Sequence, residues 1–491
     1  MRPSAVSMSK EARVSSPGWL LVVLLGGQAM ASLDGAIVNV ALPSIARDLH
    51  ASGAALQVTV AGYLLAYAVL LVAGARLGDA LGHRTLFVAG LAAFTGASVL
   101  CGAATTIWTL VAARIAQGAA AAFMVPQVLS LIQRCFEGVA RVRALSRYSA
   151  VLSLGVAAGQ VLGGIVVTAD LAGSTWRAVF LVNAPIGVAL LAAAWRHLPA
   201  GRAGARAFDV AGMLALAAPM VLLVLPLAVG RELGWPVWSV ACLVAVAPAL
   251  AALVAVERAC LRRGGEPLVD LTLLGDRVVA LGVAAIMAVM AGFAAFAFML
   301  TLHLQGGMGY SPLRASLTFL PYAVGFGAAS LCWRRLPSGW HAWTAPAGFA
   351  LLAACEVGLA VAFGAGPDRW PVAVAALMFG AGAAHAAAFA PLAVAVTARA
   401  RPEQAASLSG MLSTATTVAA VVGVAAGGGA YLAVAAAARG GSTVAFQVAA
   451  VGLAAAMLAS GVAALGAGGT QAGSRIAHVA RRRRRLRSGP S

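Results

Sequence analysis

This chain is poor in charge. Acidic and basic residues make up 10% of the 491 positions, the 15 acids are outnumbered by 34 basic residues, and the one lysine is Lys10. A soluble domain carries about 25% charged residues, so a water-facing surface over most of the chain is excluded. There is no GxxxxGK[ST] loop, which removes the usual phosphate cradle of an ATP-driven machine. The six cysteines (Cys101, Cys135, Cys242, Cys260, Cys332, Cys355) form no CxxC pair, so neither a disulfide framework nor a metal site is implied. No nucleophile–base constellation points to an enzyme, and no cofactor is implied.

What is present is apolar: 62% of residues are hydrophobic, and the mean hydropathy is +0.92. Runs of about 20 apolar residues recur along the chain, each able to cross a ~30 Å hydrocarbon core. The pattern predicts an all-α polytopic membrane protein of fourteen spans. They lie near 19–41, 55–75, 85–104, 107–128, 147–168, 178–195, 210–229, 237–256, 279–302, 313–332, 344–364, 371–397, 408–432 and 443–466. The first run is too long for a signal peptide and lacks a small-residue exit site, so a retained helix is expected.

Basic residues set the expected orientation. With both termini inside, the cytoplasmic segments hold 27 of them and the outer loops six: Arg47, Arg177, Arg231, Arg314, Arg369 and Arg439. Arg114 is left within a span. This bias is what the positive-inside rule requires, and it accounts for most of the +19 net charge. The tail Arg481–Arg487 reads as a solvated stop at the inner leaflet in contact with anionic lipid, not as a nucleic-acid site.

Several stretches carry chemistry. In "LDGAIVNVALP" (33–43), Asp34 sits in a span, where a carboxylate costs about 2.5–3.5 kcal/mol unless Asn39, Arg114 or water supports it. Arg114 and Gln117 stand in "LVAARIAQGAAAAFMVP" (110–126). In "GARLGDALGHRTLFVAG" (74–90), Gly74 and Gly78 allow helix ends to approach and Gly82 suits a tight turn. Asp79 can accept from a helix N-terminus, and Arg84 can pair with an acid or hold the inner interface. "LGVAAGQVLGGIV" (154–166) puts Gly155, Gly159 and Gly163 on one helical face, beside Gln160 and Gly164. That stripe reads either as plain close packing or as a seam between two moving halves. Glu356 is the second acid well inside a span. It reads as a proton or cation site, or as a satisfied structural group. His385 and His303 are polar lining candidates. Tyr63, Tyr67, Phe293, Phe296, Phe298 and Tyr322 can line a cavity or simply pack.

These motifs resemble the major facilitator superfamily, and "LDGAIVNVALP" resembles the first-helix motif of its 14-helix drug:proton antiporter branch. "WRAVFLVNAPIGV" (176–188), "LHLQGGMGYSPLRAS" (302–316) and "ASLSGMLSTATTVAAVVGVA" (406–425) agree in order. Ala80 and His83 stand where the family's inner-loop motif is basic, and Gln160 stands where its fifth-helix motif has proline. The resemblance implies two six-helix bundles plus two extra central helices. The segments would be a cytoplasmic start (1–18), a first bundle (19–197), two linker helices with their loops (198–277), a second bundle (278–466) and a basic cytoplasmic tail (467–491). It implies an exporter of amphipathic drugs or antibiotics in exchange for protons, in the cytoplasmic membrane, acting as a monomer. On that reading Asp34 and Arg114 would couple protons; Glu356, which matches no motif of the family, joins them as a candidate from its place in a span, and Asn39, Tyr63, Gln117 and His385 are the candidates for lining the substrate cavity. A facilitator or proton-coupled importer on the same fold is the alternative. A receptor or scaffold that has lost transport is disfavoured by the retained Asp34 and Arg114.

Reporter fusions test the orientation. Alkaline phosphatase fused after Gly234 is expected to be active and after Gly265 inactive, and a swapped result would refute it.

Overall fold

The computed structural model describes residues 17–170, 173, 175–199, 210–230, 233–263, 271–365, 371–399, 405–437 and 441–487. Arg2, Lys10, Arg13, Arg202, Arg206, Arg231, Arg369, Arg401 and Arg439, which contribute to the expected charge bias, lie outside these residues.

Helices occupy every expected span. We number them α1 (Pro17–Asp48), α2 (Gly53–Leu81), α3 (His83–Gly102), α4 (Ile107–Cys135), α5 (Gly138–Ala169) and α6, in two segments (Arg177–Leu181 and Asn183–His197). Next come α7 (Val210–Val229), α8 (Val237–Arg262), α9 (Arg277–Thr301, continued by a π turn Leu302–Gly307) and α10 (Pro312–Cys332). The last are α11 (His341–Gly364), α12 (Pro371–Thr397), α13 (Ala405–Val422, π turn Gly423–Gly427, then Gly428–Ala437) and α14 (Gly441–Arg487). Among the described residues, thirteen of these helices are long and apolar enough to cross a membrane. The other is α5, a 32-residue helix of which the segment Ala158–Ala169 is apolar. α14 continues through Arg487, where the sequence predicts a solvated tail from 467, and the side chains of Arg481–Arg487 lie outside those described.

Local chemistry starts the helices. Ser52 accepts from Ala55 N at α2, Thr106 and Thr109 form a reciprocal capping box at α4, and Asp276 accepts from Val278 N at α9. Each satisfies N–H groups that have no partner within the helix. Gly82, at φ 95°, makes the one-residue turn between α2 and α3.

The helices pack as two halves with the same wiring. In the first half α4 packs on α2 and α3, α1 on α5, and α6 on α3 and α1. In the second half α12 packs on α10 and α11, α9 on α13, and α14 on α11 and α9. α7 leans on α2, and α8 packs on α7. The closest approaches repeat as well. A Cβ on Gly118 would strike the backbone of Tyr63, and one on Gly382 the backbone of Tyr322. Gly159 abuts Leu33 and Gly423 abuts Ala291 in the same way. Small residues allow this backbone contact where lipid supplies no hydrophobic drive for helix association.

The halves meet through two equivalent crossings. Gly164 of α5 faces Ser316 and Pro312 of α10, while Gly428 of α13 faces Gln57 of α2. The described hydrogen bonds between halves are Gln305 Nε2 to Val40 O (2.9 Å), Leu313 N to Thr168 Oγ1 (3.1 Å) and Gln57 to Val424 O (3.4 Å). All three lie toward the end opposite the start of α1, so that end is closed.

A Gly118→Leu substitution is expected to destabilise the folded bundle by about 1–3 kcal/mol through overpacking. Gly96→Leu, where a Cβ meets nothing within 4 Å, should leave the melting temperature in detergent unchanged. Equal melting of the two variants would show that the α2–α4 approach is not needed.

Candidate functional site

Asp34 lies in the middle of α1, and its neighbours explain why the chain keeps it there. α4 presents Arg114 and Gln117, three residues apart and so on one helical face; α3 presents Ser98, and α6 presents Asn183. Arg114 Nη1 donates to Asp34 Oδ2 at 2.5 Å and to Gln117 Oε1 at 2.6 Å. Gln117 Nε2 and Asn183 Nδ2 both donate to Asp34 Oδ1 at 2.9 Å. Gln117 Nε2 also reaches Ser98 Oγ at 2.7 Å, and Asn183 Nδ2 reaches it at 3.4 Å. Cys101 Sγ is 3.6 Å from Gln117 Oε1. Four helices thus meet at one carboxylate.

The network is sealed: Asp34 and Gln117 are fully buried, and Arg114 and Asn183 are 1% exposed. A buried ion pair is tolerable only when further hydrogen bonds and polar faces support it. The guanidinium lies 4.1 Å from the centroid of the Tyr63 ring and 5.7 Å from that of Phe180, so aromatic faces cover the charge. Arg114 Nε and Asn183 Oδ1 have no hydrogen-bond partner among the described residues.

The expected residues are only partly brought together. Asp34, Arg114, Gln117 and Tyr63 share the network, but Asn39 does not join it. Five residues after Asp34, it points about 140° away around α1, and its Oδ1 has no described partner. His385 belongs to the second half, where its Nδ1 is 2.7 Å from the Tyr322 hydroxyl. The expected four-residue lining is therefore split between halves. Two described cavities, of 230 and 260 Å³, are lined by none of the four. Sequence reasoning missed Asn183 as a partner of Asp34, and Ser98 as the hydroxyl that accepts from Asn183 and Gln117 behind it. Asn183 stands inside "WRAVFLVNAPIGV", which was a signal; Ser98 had none beyond being a small polar residue in a span.

The glycine stripe is also redirected. Gly155, Gly159 and Gly163 face Ser32, Leu33 and Ile37 of α1, inside the first half, not a seam between halves. Gly164 is the one of the expected set that meets the other half. Buried Gln160 lies one turn before Gly164, on the same face of α5.

In the inner-loop motif Arg134 Nη2 donates to Asp79 Oδ1 at 3.0 Å, and His83 Nε2 is 3.3 Å from the same oxygen. His83 Nδ1 is 2.7 Å from Gln127 Oε1, and Gln127 Nε2 donates to Gly74 O at 2.8 Å. Arg84 pairs with no acid in this structure; it donates to Trp195 O at the end of α6 (2.9 Å). Glu356 of α11 is 2% exposed, and its Oε2 has no described partner.

Two repeated six-helix halves that meet at one end, the first of them enclosing a sealed intramembrane ion pair, define a polytopic helical membrane protein. The chain belongs to the Major Facilitator Superfamily, whose sequence profile matches residues 24–424. It is 43% identical over 305 residues to the probable actinorhodin transporter of Streptomyces coelicolor, a match spanning 62% of this chain and 53% of that protein. It is 37% identical over 324 residues to the cephamycin export protein CmcT of Amycolatopsis lactamdurans, spanning 65% of each. The methylenomycin A resistance protein of Streptomyces coelicolor is 32% identical over 414 residues, 84% of this chain and 85% of that protein. The first two matches thus span less than two thirds of the relatives' length. Among solved structures, a bacterial homolog to human lysosomal transporter Spinster, inward-facing and occupied, superposes with TM-score 0.63 at 15% identity, covering 93% of this chain and 96% of that one. A D-xylose-proton symporter does so with TM-score 0.61 at 14% identity, covering 90% and 97%. Both show the shared fold.

Arg114→Met should destabilise the protein by about 3–5 kcal/mol, because it leaves Asp34 buried without its counter-charge. Adding Asp34→Asn should recover part of that loss in thermal unfolding. Additive losses would show that the two side chains do not act as a pair.

Proposed function

We propose that the protein is a secondary active exporter of amphipathic small molecules of the antibiotic class, exchanging them for protons by alternating access across the cytoplasmic membrane. The observation that carries this reading is the Asp34–Arg114 pair, fully enclosed within the first half. The relatives named for actinorhodin, cephamycin and methylenomycin support the substrate class. The fourteen long helices agree with the 14-helix drug:proton antiporter branch.

The chemistry follows from the network. A proton placed on Asp34 removes the negative charge that holds Arg114. The guanidinium keeps Gln117 Oε1 and the Tyr63 face, so its charge stays supported while α1 loosens from α4. α1 in turn packs through Gly159 and Gly163 onto α5, whose Gly164 meets α10. Protonation at Asp34 is thereby linked to the crossing between halves. One proton falling through about 150 mV releases about 3.5 kcal/mol, enough to sustain a gradient of a few hundred-fold.

A facilitator or proton-coupled importer is the second reading, favoured by Gln160 standing where the family's fifth-helix motif has proline. Inverted vesicles distinguish the two: acidified inside, they should take up ethidium under the export reading. Asp34→Asn is expected to abolish this uptake while retaining ethidium binding. Normal pumping by the variant would refute the coupling role, and accumulation of ethidium by intact energised cells would refute export.

A further inference from the structure

The two halves can be set in register residue by residue. A shift of 258 carries Gly90 of α3, which abuts Met124 and Ala120, onto Gly348 of α11, which abuts Ala388 and Ala384. The same shift carries buried Leu86, Phe87, Leu91 and Phe94 onto buried Thr344, Ala345, Phe349 and Leu352. In this register Ser98, the residue bonded to both Gln117 and Asn183, corresponds to Glu356. For α4 and α12 the shift is 264, from Gly118 to Gly382, so Arg114 and Gln117 correspond to buried Met378 and Ala381. Asp34 corresponds to Gly292, because Leu33 and Ala291 sit under equivalent glycines.

The second half therefore holds a carboxylate where the first half has Ser98, beside a helix whose two donors, Arg114 and Gln117 in the first half, are replaced by apolar Met378 and Ala381. Glu356 is 2% exposed, its Oε2 has no described partner, and no ion pair among the described residues includes it. The titratable groups facing this region are few. α10 supplies Tyr322, and α12 supplies His385, which is bonded to Tyr322. Cys355 lies on the same helix. α14 supplies Gln447, which donates to Ala360 O, and His303 of α9 stacks on Phe446 and Phe363 two turns further out. An ionised carboxylate here would lack a counter-charge among the described residues.

We propose that Glu356 is a second proton carrier, in the second half, that loads and unloads independently of the Asp34–Arg114 pair, so that more than one proton crosses per cycle. The site keeps its proton while the half is packed around it and releases it to water when the half opens. This rests on the proton-exchange reading given above for the first half.

Two measurements on the full chain in liposomes test it. Dicyclohexylcarbodiimide, which reacts with protonated carboxyls in apolar surroundings, should label Glu356 by mass spectrometry, and labelling should fall as the pH is raised and the group gives up its proton. Absent or pH-invariant labelling would overturn the proposal without reference to transport or to any variant. In the second measurement Glu356→Gln should lower the attainable ethidium gradient about 50-fold at about 100 mV, the loss of one proton per cycle. Glu356→Asp should restore it at least in part, with both variants melting as the parent does. A parental gradient in a folded Glu356→Gln variant would overturn the second carrier while leaving the Asp34 reading intact. Ethidium transport absent from the parent would defeat the export reading for this probe, and the labelling would still decide Glu356.

Discussion

The enclosed ion pair between Asp34 and Arg114 is the interaction on which the first half is organised. A carboxylate and a guanidinium shielded from water are each expensive, and their attraction offsets that cost only with good geometry and full support. The support comes from four helices: Gln117 beside Arg114 on α4 and Tyr63 on α2 hold the pair, Asn183 on α6 joins the carboxylate, and Ser98 on α3 receives both amides. Removing or neutralising one charge therefore affects the packing of α1 against α4 as well as local electrostatics. A site whose protonation changes helix packing is what a proton-linked conformational cycle requires.

The repeat puts this network in context. Both halves use the same close approaches, Gly118 on Tyr63 and Gly382 on Tyr322, so the backbone scaffold is duplicated while the chemistry is not. The first half fills its centre with donors around an acid. The second has buried Met378 and Ala381 where Arg114 and Gln117 stand, and Glu356 where Ser98 stands. Small residues carry the scaffold, which leaves the polar positions free to differ.

Much of the fold was legible because the hydrocarbon thickness imposes a length of about 20 residues on each span. The ends were less so: α4 runs on to Cys135, and α5 starts at Gly138 rather than near 147, because helices continue past the hydrocarbon on polar residues such as Arg134, Arg141 and Arg147. Asp34, Arg114 and Gln117 stood out as polar residues in apolar runs. Asn39 was misread, although helical periodicity alone turns it away from Asp34. Asn183 was passed over because an asparagine near a helix break looks like an ordinary turn residue. Periodicity placed Gly155, Gly159 and Gly163 on one face of α5, but it does not say which neighbour that face meets; the structure shows that it is α1.

The sequence by itself determined that this is a helical membrane protein, roughly where its spans lie, that Asp34, Arg114 and Glu356 stand within them, and which family motifs it carries, because each of these depends on local composition against a slab of fixed thickness. Tertiary structure alone decided that Asp34 is held by residues from three other helices, that the glycine stripe works inside one half, and that Glu356 stands where Ser98 stands in the other. Those outcomes depend on the rotation and register of helices far apart in the chain. In this chain those are set by a few backbone-to-backbone contacts at glycine, which leave little trace in composition or hydropathy.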